Sequence, residues 1–501
     1  MGGPLRSESA VDLGAESGRV MMAQFDGRRL RMQEMHRFPN RPVNVAGHRF
    51  WNILSLWSEV LTGLAKIRHA VGALDSIGVD GWRVDYGLVD AGGLLLGQPY
   101  HYRDERTTGV IEAIADVIPK AELYTRTGIQ FLPINTICQL YAHERLRPGE
   151  LDSADRMLMI PDLLHNWLSG SLVTERTNAS TTQFWQATAG GWAVDLLARL
   201  GIPTAMLPAA VEPGQVIGTV RPELRSTVGP ALVIAPATHD TGSAVAALPT
   251  TRSGGWAYIS SGTWSLVGVE LDHPVVTDEA LAANCTNEGG VFQTTRLLKN
   301  VTGMWLLEQC RVAWAGTGQR VSYDSLLSHI DEAESFAALI NPDDPLFWAP
   351  PDMLAAINEF LSTHGQRPIQ AQSEVVRCIL ESLVLRYCNV LATVTRLSGS
   401  PIDRVHIVGG GARNTRLCQW LADALDLPVI AGPNEATARG NALMQLVGLR
   451  ELGSLQEVRA VGTVTASRQS LPRSGEHSKW VEARQRLEEL SGDGSLKAST
   501  G

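Results

Sequence analysis

Residues 10–27 read Ala-Val-Asp-Leu-Gly-Ala-Glu-Ser-Gly-Arg-Val-Met-Met-Ala-Gln-Phe-Asp-Gly, and this stretch decides the fold. Apolar residues on both sides of a small, polar turn predict a strand, a glycine-rich turn and a second strand. The Asp-Gly pair at 26–27 predicts another turn, into a third strand that starts near Arg29. The chain therefore opens as a meander. Because the residues before Ala10 are polar, we expect the first strand to be shortened at its N-terminal end.

A second strand-turn-strand of the same plan occurs at 256–270, with the sequence Trp-Ala-Tyr-Ile-Ser-Ser-Gly-Thr-Trp-Ser-Leu-Val-Gly-Val-Glu. Helical and strand patterns alternate after each of the two hairpins. This repeat predicts a duplicated α/β domain, with an N-terminal domain over 1–244 and a C-terminal domain over 245–461. A polar tail with a short helix is expected over 462–501. Ligand sites favour domain interfaces, so we expect the site in an interdomain cleft.

The composition is that of a soluble globular protein, since 44% of the 501 residues are hydrophobic and 19% are charged. The formal charge is -9 and no basic patch is present, so we expect no nucleic acid as a partner. No apolar run reaches the ~18 residues of a membrane span, and we expect no membrane partner. The six cysteines are scattered without a C-x-x-C pair, which favours a cytoplasmic protein. We expect a monomer or a small homo-oligomer.

Several catalytic motifs are absent from the sequence. None of the lysines follows a glycine, which excludes the phosphate loop G-x-x-x-x-G-K-[ST]. The H-R-D and D-F-G strings of protein kinases, the G-x-S-x-G elbow and the H-E-x-x-H zinc motif do not occur either. The glycines at 409–411 continue as Ala-Arg-Asn, which does not fit the dinucleotide fingerprint. These absences argue against P-loop enzymes, hydrolases, metalloproteases and NAD-dependent enzymes.

The two hairpin turns are candidates for phosphate binding without lysine. Consecutive backbone N–H groups in turns of Gly, Ser and Thr can point at one anion. In Gly14–Arg19 the side-chain donors would be Ser17 and Arg19, and in Ser260–Ser265 the hydroxyl would come from Thr263. Each turn, taken alone, is equally explained as an ordinary hairpin.

Three further features fit the chemistry of phosphoryl transfer. The Gly409–Gly411 turn lies between a predicted strand and a predicted helix, where a nucleotide could approach the backbone closely, although a glycine run is more often only a tight turn. Asp240 follows a buried strand and is a candidate general base, although it could instead cap a helix that we expect to begin near Ser243. Asp12 ends the first strand and could hold Mg²⁺ through water, or could be a turn aspartate.

A further group of side chains has the chemistry of a polyol pocket, because it combines carboxylates, guanidinium groups and an aromatic ring. The same residues could equally form surface ion pairs. The group consists of Asp80, Trp82, Arg83 and Asp85 with Arg103, Asp104 and Arg106.

Seven motifs in order carry a resemblance to a known family. They are D-L-G-A-E-S-G-R, S-I-G-V-D-G-W-R-V-D-Y-G-L-V-D, Y-R-D-E-R-T, G-I-Q-F-L-P-I-N-T, T-H-D-T-G-S-A-V, S-S-G-T-W-S-L-V-G and T-N-E-G-G. From about residue 10 to about residue 450 the chain resembles the FGGY carbohydrate kinases, and the fourth and sixth motifs resemble the branch that acts on L-rhamnulose. The resemblance implies two ribonuclease H-like domains of the actin and hexokinase type, which close on Mg-ATP and a sugar.

The resemblance also implies roles for individual residues, with transfer of the phosphoryl group to O1 of L-rhamnulose. Asp240 would be the proton acceptor. The residues implied at ATP are Ala15, Glu16, Ser17, Gly18, Arg19, Thr263, Glu308 and Gly410. The residues implied at the sugar are Arg83, His239, Asp240, Thr241 and Asn300.

Three positions depart from the family pattern. Arg83 stands where related kinases have a small residue, which leaves open a kinase for another sugar such as L-fuculose or xylulose. Glu16 replaces a hydroxyl residue in the first turn, and Glu308 replaces a glutamine near the nucleotide, so each adds negative charge near the triphosphate. These departures also leave open a non-catalytic protein that senses a sugar or a nucleotide on the same fold.

Overall fold

The computed structural model describes residues 5–250, 255–316, 318, 322–433, 435–462 and 467–490. The chain divides into two compact units. Unit 1 comprises Met1–Ser253, Glu270–Leu298 and Pro433–Ala466, and unit 2 comprises Gly254–Val269, Lys299–Gly432 and Ser467–Gly501. The predicted domain limits at residues 244 and 461 stay a prediction.

The strands in the described residues are numbered in chain order. They are β1 Arg6–Leu13, β2 Ser17–Phe25, β3 Leu30–Pro39, β4 Val43–Val45, β5 His48–Phe50, β6 Ser76–Gly81, β7 Tyr86–Val89, β8 Arg156–Met159, β9 Val173–Glu175, β10 Ala209–Val211, β11 Gln215–Thr219, β12 Leu232–Ala235, β13 Trp256–Ser261, β14 Trp264–Leu271, β15 Thr286–Gly289, β16 Thr295–Thr302, β17 Arg404–Val408, β18 Val429–Ala431 and β19 Arg468–Ser470.

The α-helices in the described residues follow the same convention. They are α1 Ile53–Val71, α2 Val110–Ala115, α3 Lys120–Thr127, α4 Thr136–Leu146, α5 Pro148–Asp152, α6 Ile160–Ser169, α7 Arg176–Ala179, α8 Val194–Arg199, α9 Asp240–Ala246, α10 Asp278–Ala282, α11 Trp305–Gly316, α12 Tyr323–Ser328, α13 Met353–Thr363, α14 Gln372–Ser398, α15 Thr415–Leu425, α16 Ala436–Gly448, α17 Leu455–Gly462 and α18 His477–Leu490.

The sheet of unit 1 has the strand order β11-β12-β6-β1-β2-β3. The central strands β12, β6 and β1 run parallel, and the outer strands are antiparallel to their neighbours. The predicted meander β1-β2-β3 is confirmed, but the expected shortening of β1 is wrong. β1 pairs with β2 from Arg6 onward, and its polar residues Ser7, Glu8 and Ser9 are buried. A strand paired on both sides is held by its backbone hydrogen bonds, whatever its side chains.

Helices α9 and α16 pack together behind this sheet in unit 1. The close approach depends on Gly440, because a Cβ there would lie 1.7 Å from the carbonyl oxygen of Ser243. Ala247 near the end of α9 and Ala438 and Ala442 of α16 belong to the same buried apolar cluster. Helix α9 begins at Asp240, three residues before the predicted start. The carboxylate is therefore fixed to the first turn of a tightly packed helix.

Unit 2 repeats this plan around β13 and β14. The strands β14, β13, β17, β18 and β19 are neighbours in that order. The β13-β14 hairpin lies beside the parallel strand β17, just as the β1-β2 hairpin lies beside the parallel strand β6 in unit 1. Helix α14, of 27 residues, supplies much of the buried apolar surface of unit 2. The internal repeat predicted from the two hairpins is thus present in the topology.

The described helices include none that is both long and apolar enough to cross a membrane. All six cysteines are buried and free.

Candidate active site

Asp240 lies where β12 gives way to α9 in unit 1. The loop is fixed from its neighbour strand, since Gly81 forms a β-bridge with His239 and its N–H donates to Thr238. The Asp240 carboxylate accepts hydrogen bonds from the backbone N–H of Thr241, at 2.5 Å, and from its hydroxyl, at 3.1 Å. Burial raises the pKa of Asp240 to about 6, and the negative charge of Asp12 adds to this rise. Such a carboxylate is ionised at neutral pH and still basic enough to accept a proton.

Two further carboxylates face the same region of unit 1. Asp12 and Asp80 are register partners on the parallel strands β1 and β6, so their side chains lie on the same face of the sheet. Arg19 donates to Asp12 at 2.6 Å, and Asn441 donates to Asp80 at 2.6 Å. Burial raises the pKa of both carboxyls, and in Asp80 the charge of Asp12 raises it further. Asp12 and Asp80 are thus concentrated in one region, and this costs stability because burial disfavours their charged forms.

The first candidate phosphate turn, residues 14–16, joins β1 to β2. Its ends are closed by a hydrogen bond from the Gly14 N–H to the Ser17 carbonyl, and Asn40 donates to the Gly14 carbonyl. Gly18 follows in β2, where a Cβ would collide with the ring of Phe38. This turn is therefore a rigid hairpin whose glycines have packing reasons of their own.

Glu16 in this turn and Arg19 in β2 differ in their surroundings. Glu16 is exposed, whereas the Arg19 guanidinium forms ion pairs with Asp12 and Glu435. Arg19 therefore orders the Asp12 carboxylate, its register partner across the hairpin. Sequence spacing did not indicate the contact with Glu435, which lies more than 400 residues away along the chain.

Arg83 is nearly buried, in the loop that follows β6. Its guanidinium nitrogen lies 3.9 Å from a carboxylate oxygen of Glu288, and 9% of its side chain is exposed. Burial lowers the pKa of Arg83, while Glu288 and Asp240 raise it. A long cation thus occupies the place where the resemblance led us to expect a small side chain.

The rest of the predicted polyol group is buried, apart from Arg106, which is half-buried as a residue with 2% of its side chain exposed. The alternative of surface ion pairs is therefore wrong. Asp85 accepts from the indoles of Trp51, at 2.5 Å, and Trp82, at 3.0 Å, and from Gln139, at 2.7 Å. Burial raises the pKa of Asp85 to about 7. Asp104 likewise accepts from the Arg49 N–H. The hydrogen bonds to Asp85 and Asp104 fix the polar residues of this group in place.

The second candidate phosphate turn, in unit 2, contains Gly262 and Thr263 between β13 and β14. The Thr263 carbonyl accepts from the N–H groups of Gly303 and Trp305, and the Gly262 N–H donates to the Trp264 carbonyl. The start of α11 thereby holds the turn.

The glycine loop of unit 2 lies against the end of β13. Gly409 has a φ of 80°, and a Cβ there would lie 2.6 Å from the Ser261 carbonyl oxygen. A Cβ at Gly411 would collide with the Ser261 hydroxyl. Gly410 is open, with only that same carbonyl oxygen at 3.9 Å. Two of the glycines are therefore required by packing, and Gly410 is the one with free space beside it.

Glu308 and Asn300 also belong to unit 2. Glu308 lies in the first turn of α11 and pairs with Arg311 at 2.5 Å, so its charge is partly balanced. Asn300 is buried in β16. Asp12, Ala15–Arg19, Arg83 and His239–Thr241 belong to unit 1, whereas Thr263, Asn300, Glu308 and Gly410 belong to unit 2.

Sequence reasoning missed Glu288, Arg296 and Asn441. Glu288 and Arg296 are fully buried beside His239, and Asn441 reaches Asp80 from α16. Glu288 falls inside the T-N-E-G-G motif, which was the one available signal. The sequence carries no signal for Arg296 and Asn441, because each meets its partner only through the tertiary fold.

Family models match the chain in two adjoining stretches. The N-terminal domain model of the FGGY family of carbohydrate kinases matches residues 9–247, and the C-terminal domain model matches residues 257–449. The chain belongs to the FGGY family of carbohydrate kinases. This membership confirms the expected α/β fold class and the expected class of enzyme, a carbohydrate kinase that transfers a phosphoryl group from ATP.

Individual FGGY kinases resemble this chain over most of its length. A rhamnulokinase of Bacteroides thetaiotaomicron is 46% identical over 444 residues, which cover 88% of this chain and 90% of that protein. A rhamnulokinase of Pectobacterium atrosepticum is 44% identical over 456 residues, 90% of each chain. The crystal structure of a ligand-bound xylulose kinase from Lactobacillus acidophilus has a TM-score of 0.81 at 14% identity and covers 98% of this chain and 99% of its own. At that identity the likeness shows the fold alone.

The carboxylates of this FGGY kinase fit a divalent cation that is bound mainly by the nucleotide and water. Within the described ranges, no group of three or more His, Cys, Asp or Glu could hold a metal ion by itself. A magnesium ion bound to a nucleotide needs only one or two protein carboxylates, because water and phosphate oxygens complete its shell. Asp12 and Asp80 meet this need, and Oδ1 of Asp80 is buried without a hydrogen-bond partner in the described structure.

Proposed function

We propose that this carbohydrate kinase phosphorylates L-rhamnulose at O1, with ATP as the donor. The proposal is supported by the rhamnulokinases that are 36–46% identical to the chain over about nine-tenths of its length. The observation that carries the chemistry is Asp240, a half-buried carboxylate held by Thr241 with a pKa of about 6. It has the basicity and the fixed geometry that a general base requires.

The reaction needs the sugar hydroxyl to lose its proton as it attacks the γ-phosphorus of ATP. Asp240 accepts that proton, the new P–O bond forms to the sugar, and ADP leaves with the electrons of the broken bond. A single carboxylate suffices, because phosphoryl transfer depends mainly on positioning and on balance of charge. His239, Thr241, Arg83 and Asn300 are proposed to contact the sugar.

Asp12 would hold Mg²⁺ through water, with Asp80 beside it. Bound there, the ion would neutralise charge on the phosphate oxygens of ATP. Arg19 keeps one oxygen of Asp12 fixed by its 2.6 Å hydrogen bond.

The nucleotide is proposed to contact both hairpin turns and the glycine loop. Ala15–Arg19 would contribute backbone N–H groups, Thr263 its hydroxyl, and Gly410 its open backbone. Glu308 would lie near the nucleotide with its charge reduced by Arg311.

The domain and location predictions are kept as part of this proposal. We place the junction of the two domains near residue 245, supported by family models that end at 247 and begin at 257. We place the protein in the cytoplasm, supported by six buried free thiols, which are typical of a reducing compartment.

The test is an ADP-release assay with L-rhamnulose, L-fuculose, xylulose, ribulose and glycerol as acceptors. We expect L-rhamnulose to give the highest kcat/KM. A higher value for another sugar would reassign the substrate, and inactivity with all five would overturn the kinase assignment. The matched variant Asp240→Asn should lose at least about a thousandfold in kcat, while ATP binding measured by calorimetry stays within about threefold. Retained turnover in Asp240→Asn would show that Asp240 is not the base.

A second variant tests the assignment of Arg83. Arg83→Gly restores the small residue of the family pattern and should change the sugar KM by about tenfold or more, with the ATP KM nearly unchanged. Arg147→Gly, which removes an exposed arginine of the same unit, is the control. Equal sugar KM values for wild type and Arg83→Gly would show that Arg83 does not contact the sugar.

A further inference from the structure

His239 is surrounded by buried charge within unit 1. Its Nδ1 atom lies 2.9 Å from Nη2 of Arg296 and 3.4 Å from Oε2 of Glu288. Arg296 is fully buried and is anchored by a second hydrogen bond, from its Nε to the Gly289 carbonyl at 3.1 Å. The guanidinium is therefore fixed in place on one side of the imidazole.

The partner on Nδ1 determines which ring nitrogen carries the proton. An arginine guanidinium has only N–H donors and does not lose its proton in a protein. A nitrogen that lies at hydrogen-bond distance from it must accept, so Nδ1 is unprotonated. Burial lowers the pKa of His239 well below its ordinary value, and the charges of Arg296 and Arg83 lower it further. The ring is therefore neutral, and its single proton is on Nε2.

That Nε2 atom lies 3.3 Å from Oδ1 of Asp240. We propose that Arg296 is a positioning residue, which fixes the tautomer of His239 so that the Nε2–H group, and not a nitrogen lone pair, lies beside Oδ1 of Asp240. The catalytic consequence rests on the proposed function, in which Asp240 is the base. The tautomer itself depends only on the contacts of Arg296.

The consequence for Asp240 follows from counting the donors on each oxygen. The Thr241 N–H and the Thr241 hydroxyl both donate to Oδ1, and Nε2 of His239 lies 3.3 Å from the same oxygen. In the described part of the chain, none of the hydrogen bonds to Asp240 uses Oδ2. The carboxylate is thus held by one oxygen, and Oδ2 is the oxygen that accepts the proton of the sugar hydroxyl.

The tautomer can be measured without any substrate. The full-length protein is labelled with ¹⁵N-imidazole histidine, and the variant His239→Gln identifies the His239 signals by their absence. We expect Nε2 to be protonated and Nδ1 to be unprotonated in the wild type. In Arg296→Met we expect a mixture of tautomers, and in Arg296→Lys, which keeps a cationic donor, a return to the wild-type tautomer. A wild-type ring protonated at Nδ1, or at both nitrogens, would overturn the proposal.

Kinetic measurements test the catalytic part of the proposal, the effect of Arg296 on Asp240 through His239. Arg296→Met should lower kcat by about tenfold, the value expected when a polar contact with a charged oxygen is lost, with the ATP KM within about twofold. Arg296→Lys should recover part of kcat. In the His239→Gln background, where no imidazole tautomer is left to fix, Arg296→Met should have no further effect on kcat. An equal loss in both backgrounds would refute positioning through His239.

The two measurements separate the possible failures. A correct tautomer with unchanged kcat in Arg296→Met would refute the catalytic role of the contact. A protein inactive with all five sugars would refute the proposed function and leave the tautomer result standing. Should Arg296→Met fail to fold, the wild-type spectrum alone decides the tautomer, and Arg296→Lys tests the kinetics.

Discussion

Acidification should reduce phosphoryl transfer in step with the protonation of Asp240. The pKa of this carboxyl is raised to about 6 because it is buried and lies near the negative charge of Asp12. The base must be ionised to accept the proton of the sugar hydroxyl, so activity is present above the pKa and is lost as the pH falls through it. In kcat/KM for the sugar, which reports the free enzyme, the midpoint should lie near 6.

The magnitude follows from the titration curve. One pH unit below its pKa, about a tenth of a carboxyl is ionised, so kcat/KM near pH 5 should be about a tenth of its plateau value. An aspartate with its ordinary pKa of 3.8 would remain more than about nine-tenths ionised at that pH. The difference between the raised and the ordinary pKa is thus a tenfold change in rate.

The same shift predicts an effect on stability with a defined sign. A carboxyl whose pKa is raised in the folded state favours folding while it is protonated, and this contribution is lost as the pH rises through about 6. Asp240→Asn removes the titration, so its stability relative to wild type should improve between about pH 4 and pH 7. With 32% of the side chain exposed, solvent screening reduces the gain to about 1 to 2 kcal/mol.

The assay measures ADP directly by chromatography, because coupling enzymes have pH profiles of their own. Initial rates with L-rhamnulose are recorded from about pH 4.5 to pH 8, and thermal unfolding of wild type and Asp240→Asn is followed over the same range. The reasoning is refuted by a kcat/KM midpoint near 4, the value of an unshifted aspartate. It is refuted equally by a stability difference between the two proteins that does not change with pH.

Three further predictions concern other parts of the site. Gly409→Ala should lower thermal stability by about 1 to 3 kcal/mol, because the glycine has φ 80° and a Cβ there would lie 2.6 Å from a carbonyl oxygen. The control Gly410→Ala should keep the wild-type melting temperature and raise the ATP KM. Equal melting temperatures for the two variants would contradict this prediction. Asp85→Asn should lower the free energy of unfolding in denaturant by about 1 to 3 kcal/mol, because the new amide N–H group would face the indole and amide N–H donors that Asp85 accepts from. An unchanged denaturant midpoint would contradict this prediction. Glu308→Gln should change the ATP KM by less than about fivefold, because Arg311 already balances the partly exposed charge of Glu308. A larger change would show that Glu308 acts on the nucleotide directly.

The hairpins and their neighbours were predictable from the sequence because their signals are local. The turns at 14–16 and 262–263 lie between apolar strands, and an apolar run ahead of Asp240 placed that residue at a strand end. Fold class, the repeated hairpin plan and the position of the candidate base follow from such short-range patterns.

The interactions that tune the base were not predictable, because they join distant parts of the chain. Arg296 reaches His239 across 57 residues, and Asn441 reaches Asp80 across 361. A polar residue within a strand reads equally as an exposed position, so the sequence alone does not reveal that Arg296 is buried. The start of α9 was misplaced for a similar reason, since small residues on both sides of Asp240 left the first turn without an apolar pattern.

The three carboxylates of unit 1 share an arrangement that explains why each remains reactive. Arg19 holds Oδ2 of Asp12, Asn441 holds Oδ2 of Asp80, and the donors on Asp240 converge on Oδ1. A buried carboxylate with both oxygens hydrogen-bonded to protein donors would be stabilised as an anion and would be a weaker base. One held oxygen fixes the direction of the group, while the other is left to a hydroxyl proton or a cation. Burial raises the pKa values of the three carboxyls, and hydrogen bonds on one oxygen offset this rise only in part. The cost in stability therefore falls on the groups that the chemistry uses.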